Sequence, residues 1–147
     1  MENFNPTLDA SKIQNGTFTE VWWEDEYLAE AKAMNAKDEF QKEEIKVAGN
    51  MRVKFKVVAI TGKGSLTLFK INSNAIKKLR EFCKGSAIEP KFTLMSVRND
   101  PSGLGIERII YNGVSFDDLT WINAELGTPS EIEMPFTYES VETYDLI

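Results

Sequence analysis

The sequence of 147 residues contains no histidine and only one cysteine, Cys83. Without histidine, a Ser-His-Asp triad, an HExxH zinc site and imidazole-ligated haem are excluded. A single cysteine cannot form a disulfide within the chain, and no histidine is present to activate its thiol. No apolar run approaches the ~18 residues that a spanning helix needs, so we expect no stable membrane insertion. The composition therefore predicts a protein that is not an enzyme and needs no cofactor or metal.

Three short stretches resemble parts of known binding sites, but each lacks residues that the site requires. Gly62-Lys63-Gly64-Ser65 lacks the glycine that a phosphate-binding loop places five residues before its Gly-Lys pair. The acidic runs at residues 24–26 and 117–118 have no EF-hand spacing around them, and we interpret them as solvated turn residues. The first 15 residues lack the basic and apolar regions of a secretory signal, so we expect assembly in the cytoplasm.

Charge is distributed in blocks along the chain, whose net charge is −6. Residues 17–51 carry four bases and nine acids, residues 52–91 carry ten and two, and residues 92–147 carry two and ten. If the fold keeps these blocks apart, the surface has oppositely charged faces. The alternative interpretation is that the lysines lie on solvated strand faces.

The hydrophobic pattern predicts mainly β-strands. Thr17–Trp23 is rich in β-branched and aromatic residues and predicts the start of a first hairpin. Met51–Val57 alternates apolar and basic residues and predicts a half-buried strand. The glycines of residues 61–64 predict a turn into a second strand over Ser65–Ile71. Residues 32–46 are polar, and their alanines and lysines are also compatible with a helix.

One helix is predicted over residues 73–84. Ser73 serves as its N-cap, and Ile76, Leu79 and Cys83 form a core face at i, i+3 and i+7. Further strands are predicted over residues 91–97, 106–111, 114–124 and 131–139, with Asn112-Gly113 as a hairpin turn. Residues 140–147 contain too few apolar side chains to predict an element of their own.

Six stretches occur in an order and spacing typical of a known family. They are 64–70 (GSLTLFK), 82–86 (FCKGS), 90–94 (PKFTL), 100–109 (DPSGLGIERI), 111–117 (YNGVSFD) and 133–139 (EMPFTYE). Through them, residues 13–142 resemble the tail-tube proteins of contractile phage tails, PBSX-like defective prophages and phage-tail-like bacteriocins. Residues 17–50 do not share this pattern.

The resemblance implies one domain over residues 1–147, a β-sandwich or rolled β-barrel with one flanking helix. Hexameric rings would stack into a hollow tube, with two hairpins of each subunit forming a barrel around the lumen. Residues 1–16 and 140–147 would be arms that clamp neighbouring subunits. Residues 35–50 would be a long loop that stacks on the next ring through these side chains: Lys37, Asp38, Glu39, Lys42, Glu43, Glu44 and Lys46.

For the lumen we expect Glu20 and Glu24 from the first hairpin, and Lys54 and Lys56 from the second. The partners implied are further copies of the chain, a tail sheath, baseplate or tube-initiator proteins, a tail terminator, and DNA if the particle carries it. The particle would assemble in the bacterial cytoplasm and leave by lysis. The sequence leaves open whether it is a DNA-delivering phage or a headless bacteriocin.

A different class of function stays open at this point. A β-sandwich could bind a sugar or peptide on Trp22 and Trp23, or single-stranded nucleic acid on Lys54, Lys56 and nearby aromatic residues. Phe18, Trp22, Trp23 and Tyr27 are either core residues or part of a subunit contact. A binding module predicts a monomer with a ligand, whereas a tube subunit predicts assembly without one.

Overall fold

A computed structural model describes residues 8–147, which form eight strands and one α-helix. The strands are β1 Thr19–Trp23, β2 Glu26–Tyr27, β3 Ala31–Ile45, β4 Lys54–Phe69, β5 Phe92–Arg98, β6 Glu107–Phe116, β7 Glu131–Tyr138 and β8 Ser140–Asp145, and the helix is α1 Asn74–Cys83. Two short 3₁₀ turns, Ala10–Lys12 and Gly16–Phe18, precede β1. Within the described range, no helix is long and apolar enough to cross a membrane.

All strands pair antiparallel in the order β2-β1-β5-β6-β7-β4-β3, and β8 pairs with β6. The sheet folds over itself along β6, because residues 108–112 pair with β8 whereas Ser115 and Phe116 pair with β7. Only Glu139 separates β7 from β8, so the chain passes directly from one half of the sheet to the other. The prediction of a mainly β fold with one flanking helix is confirmed.

The core lies between the two halves of this folded sheet. Its largest fully buried side chains are Trp23, Phe136, Leu66, Leu94, Met134 and Val114. The Trp23 ring contacts Phe92 and Phe116, with centroids 5.3 and 5.0 Å apart. Buried and exposed residues alternate along β7, as expected for a strand with one face on a core.

The helix α1 covers one end of the core through Ala75 and Leu79, which are both buried. Ile76 is half-buried. Cys83 is exposed, so its prediction as a core residue was wrong. It is the last helical residue, and burial along this face ends one turn earlier, at Leu79.

The predicted turn at residues 61–64 is absent, because β4 runs without interruption through both glycines. A Cβ at Gly62 would overlap the ring of Tyr138, and one at Gly64 would overlap the Phe136 ring and the carbonyl oxygen of Asn35. These glycines therefore allow aromatic rings of β7 to cross β4 closely. Glycine inside a strand often marks a site where another group approaches the backbone closely.

The loop predicted over residues 35–50 is also absent. Residues 31–45 form β3, which pairs with β4 from Ala31↔Leu68 to Ile45↔Lys54. β7 pairs with β4 only between Phe69 and Gly62, so the rest of this hairpin extends beyond the sheet. The hairpin turns at residues 46–53.

Three further predictions in the last third of the chain were wrong. Asn112 and Gly113 lie inside β6 rather than in a hairpin turn, and Gly113 has a φ of 65° where the strand changes partner from β8 to β7. Residues 140–145 form β8, which gains its stability from pairing with β6 rather than from apolar side chains. The strand predicted over residues 114–124 ends at Phe116.

Candidate functional site

The distal half of the β3–β4 hairpin projects from the domain as a two-stranded ribbon. We call residues 40–60 the ribbon, and all its side chains except the half-buried Val53 are exposed. Its exposed large apolar residues are Phe40, Ile45, Val47, Met51, Phe55, Val57, Val58 and Ile60, and Met51 is fully exposed. Soluble monomers rarely expose so many apolar side chains in one place. The ribbon therefore has the composition of a contact surface.

A hydrogen bond holds the base of the ribbon. The Tyr138 hydroxyl donates to Asp38 Oδ1 at 2.7 Å, across the position where Gly62 has no side chain. Burial raises the pKa of the Tyr138 hydroxyl, and the hydrogen bond and negative charge of Asp38 raise it further. This contact joins β3 to β7, although the two strands are not neighbours in the sheet.

The residues predicted for the stacking loop fall into two groups. Lys37, Asp38 and Glu39 lie at the base, where Glu39 carboxylate oxygens are 3.5 Å from Lys37 Nζ and 3.6 Å from Lys63 Nζ. The other four are on the ribbon: Lys42, Glu43 and Glu44 on β3 and Lys46 at the start of the tip. The sequence analysis did not predict that Asp38 is a hydrogen-bond partner of Tyr138. The signal in the sequence was a pair of glycines two positions apart, 62 and 64, and a pair of aromatic residues with the same spacing, 136 and 138.

The hairpin also presents unpaired backbone. β3 is the last strand of the sheet, and no strand within residues 8–147 pairs with its outer edge over 15 residues. β4 pairs with β3 along one edge. Its other edge is unpaired between Lys54 and Thr61 within the described residues. Long unpaired edges invite pairing with another chain.

The four lumen candidates do not share one surface. Glu20 lies on β1 in a row with Val97 and Arg108, on the outer side of the sheet. Glu24 lies in the turn between β1 and β2, and its carboxylate accepts a hydrogen bond from the Thr93 backbone N–H of β5 at 3.0 Å. Lys54 and Lys56 belong to the ribbon.

The aromatic residues of the first hairpin divide between core and surface. Trp23 is only 1% exposed, so its proposed role in stacking on a sugar is wrong. Trp22 is half-buried, and its ring lies 5.4 Å from that of Tyr27. Phe18 and Tyr27 are exposed. The paired tryptophans therefore do not form a binding platform.

The charge blocks interleave in space, because β4 of the basic block pairs between β3 and β7 of the two acidic blocks. Ion pairs consequently join blocks within one subunit, such as Lys32 with Glu131 at 2.6 Å and Lys91 with Glu139 at 3.4 Å. The expectation of two oppositely charged faces was wrong for this part of the molecule.

The end of the N-terminal arm that leads into β1 is held by its own subunit. The Asn15 backbone N–H donates to Oδ2 of the buried Asp100 at 2.8 Å, and Oδ1 of Asp100 accepts from Ser102 N–H at 2.9 Å. The stretch 100–105 therefore fixes the entry to β1. Residues 1–7 of the predicted arm lie outside the described residues.

A cleft of about 690 Å³ opens between the start of β3 and the inner face of β1, β5 and β6. Val21, Met34 and Ile109 give it an apolar lining, and Arg98 and Glu107 lie at its polar end. No cluster of three or more acidic or cysteine ligands that would hold a metal occurs among the described residues. The geometry offers surfaces for contact rather than a catalytic centre.

Comparison with known families and sequences gives a consistent result. A family model described as "Phage tail tube protein" matches residues 6–145. The chain is 28% identical over 137 residues to the phage-like element PBSX protein XkdM of Bacillus subtilis (strain 168). The aligned residues cover 92% of each of the two chains. An uncharacterized protein of the same strain, YqbM, matches with the same identity and coverage.

Solved structures with the same fold come from contractile injection systems. A chain of the anti-feeding prophage cap, described as a tube-terminating cap, superposes with a TM-score of 0.71 at 11% identity, covering 99% of this chain and 100% of that one. A chain of the PVC sheath–tube complex in the extended state gives 0.68 at 8% identity, covering 90% and 92%. The chain therefore belongs to the phage tail-tube protein family, whose members are structural proteins rather than enzymes.

Proposed function

We propose that the protein builds the inner tube of a contractile phage tail or phage-tail-like particle, as hexameric rings stacked into a hollow conduit. The observation that carries the proposal is the ribbon, which combines exposed apolar side chains with unpaired strand edges on both sides. A monomer gains nothing from ordering such a hairpin, whereas an assembly buries it.

Ring formation uses the strand edges. The outer edge of β3 and the distal edge of β4 lie on opposite sides of the same hairpin, so each copy offers two different edges. Contacts between unlike surfaces are heterologous, and they close into a ring when the rotation between copies allows it. We expect six copies by analogy with the family.

Stacking of rings uses the ribbon. Its tip at residues 46–53 lies farthest from the core and carries the exposed Val47 and Met51. Lys42, Glu43, Glu44 and Lys46 precede the tip along the chain, and the first three lie opposite residues 55–57 of β4. These charged side chains would set the register between rings. Residues 1–7 remain candidates for a clamp between subunits.

A tube of this kind would also contact other proteins of the particle. The matched structures include a sheath–tube complex, a sheath/tube terminator and a baseplate. We expect corresponding contacts of this chain with a sheath, a terminator and a baseplate initiator, in a particle assembled in the bacterial cytoplasm and released by lysis. DNA would pass through the lumen if the particle has a head.

Shortening the ribbon tests this proposal. Gln41 and Ala59 are directly opposite each other, so residues 42–58 can be replaced by Asn-Gly, which suits a two-residue turn. The core residues stay in place, and we expect a cooperatively folded subunit that forms no long tubes. Electron microscopy and sedimentation report tubes, and thermal unfolding reports the fold.

The matched control is Ala48→Ser, which changes a small exposed tip residue and keeps the ribbon. This variant should form tubes like those of the unmodified protein. Tubes of normal length from the shortened variant would contradict the role of the ribbon in stacking.

A further inference from the structure

The two outer faces of the folded sheet differ in polarity. On β1, β5 and β6, the side chains that point away from the core include the row Trp22, Met95 and Ile110. These three are half-buried, and Val97 in the adjacent row is 7% exposed. This side of the sheet is therefore partly apolar.

The opposite side, on β3, β4 and β7, is polar. Its side chains alternate with the buried Leu66 and Leu68 on β4 and with Met134 and Phe136 on β7. We call it the polar face and define it by six residues: Lys37, Glu39, Lys63, Ser65, Thr67 and Glu133. The apolar residues in the same rows are the small Ala33 and Pro135.

Charge on the polar face is balanced. Two lysines and two glutamates occupy it, and Glu39 lies within 3.6 Å of both Lys37 Nζ and Lys63 Nζ. Each lysine thus has a carboxylate beside it, which weakens its attraction for phosphate groups. Such a surface offers neither an apolar patch nor an unpaired positive charge to a passing chain.

The geometry of assembly decides where this face points. Pairing through the edges of the β3–β4 hairpin extends the β3, β4 and β7 layer from one copy to the next. When such a layer closes around an axis, one side becomes concave. The core side carries the other half of the sheet and α1, which need the larger space outside the closed layer. The opposite side of the layer, which carries the polar face, must then point toward the axis.

We infer that the polar face, rather than the surface around Glu20 and Glu24, lines the lumen of the tube. This inference rests on the proposed function. The wall is charge-balanced, and Phe69 at the end of β4 is the large apolar side chain on it. It therefore offers a polyanionic passenger few groups to bind.

Thiol labelling of assembled tubes tests the inference. The background is Cys83→Ser, which removes the only native thiol. Ser65→Cys then places a thiol on the polar face, and Glu20→Cys is the matched control on the opposite outer face. Each variant is treated with N-ethylmaleimide and with maleimide coupled to ferritin, which cannot cross the wall, both as tubes and as dissociated subunits.

We expect Ser65→Cys in tubes to react with N-ethylmaleimide at nearly the rate of dissociated subunits, but with the ferritin reagent at least about tenfold more slowly, because thiol reactivity requires access. Glu20→Cys should react with both reagents or with neither. The inference would be overturned if Ser65→Cys in tubes reacted with both reagents or with neither of them. It would also be overturned if Glu20→Cys in tubes reacted with N-ethylmaleimide but not with the ferritin reagent. Absence of tubes from the Cys83→Ser protein and the native protein alike would contradict the proposed function itself.

Discussion

At the scale of single residues, the contact between Tyr138 and Asp38 connects the core to the ribbon. The Tyr138 ring is buried, contacts Tyr111 at a centroid distance of 5.3 Å, and sends its hydroxyl across Gly62 to Asp38. Any side chain at position 62 would block this path. The direction in which the ribbon leaves the domain therefore depends on a glycine and a tyrosine that are 76 positions apart in the sequence.

The same contact predicts a pH dependence. An unfolded tyrosine loses its proton at about pH 10, whereas the raised pKa keeps Tyr138 protonated in the folded subunit. The unfolded state then binds fewer protons, so the free energy of unfolding falls as the pH rises above that value. Tyr138→Phe should cost about 1 kcal/mol at neutral pH through the lost hydrogen bond and should remove this part of the alkaline decrease.

Urea unfolding of dissociated subunits between neutral and alkaline pH measures the effect. The two proteins differ only at position 138, so the difference between their pH profiles isolates the Tyr138 hydroxyl. Parallel pH profiles for the two proteins would show that the hydroxyl is not held in its protonated form by the fold.

At the scale of elements, the helix was the most predictable part. Its boundaries differ from the predicted ones by one residue at each end, because the spacing of apolar residues marks them locally. Ser73 occupies the N-cap position but makes no side-chain hydrogen bond there, and the Asn72 Oδ1 accepts from the Asn74 N–H instead. Lys78 was not distinguishable from other surface lysines by sequence. Its Nζ lies 5.2 Å from the Trp23 ring and 3.6 Å from a Glu26 carboxylate oxygen, which only the fold brings together.

The packing of α1 gives a second prediction. Leu79 is 5% exposed, so Leu79→Ala should leave a cavity and lower the free energy of unfolding by about 2–5 kcal/mol. Lys77→Ala, on the exposed side of the same helix, is the matched control and should stay within about 0.5 kcal/mol of the native protein. Chemical denaturation compares them, and equal losses would contradict the assignment of the buried face.

The long hairpin could not be predicted, for physical reasons. Residues 32–46 have a composition compatible with a helix, and pairing with β4 overrides it, because strand formation depends on neighbours more than on intrinsic preference. The alternation of Met51–Val57 correctly predicted extended structure. It also predicted a half-buried face, yet Met51, Phe55 and Val57 are exposed, since no other part of the described chain covers them.

Glycine was misleading in two places because its uses cannot be separated by sequence. Gly62 and Gly64 permit aromatic rings to approach the backbone, and Gly113 permits a change of strand partner with a positive φ. All three resemble turn signals, and none lies in a turn. The partner residues that explain them lie far along the chain, in β7 and β8.

At the scale of the whole molecule, the family was accessible from the sequence because ordered short stretches carry it. The positions of charge were not accessible, since the order of strands in the sheet differs from their order in the chain. Basic β4 lies between acidic neighbours, so the subunit compensates much of its charge internally. What remains for other copies is the apolar ribbon and its unpaired edges.

In the proposed tube, further copies of the same chain cover the ribbon and pair with its strand edges. Electron micrographs of the purified full-length protein at high concentration, with no ligand added, test this assembly. We expect hollow tubes of uniform width, built from stacked rings with sixfold symmetry in end views. Monomers alone under the same conditions, with sedimentation showing a single species of 16.7 kDa, would contradict it.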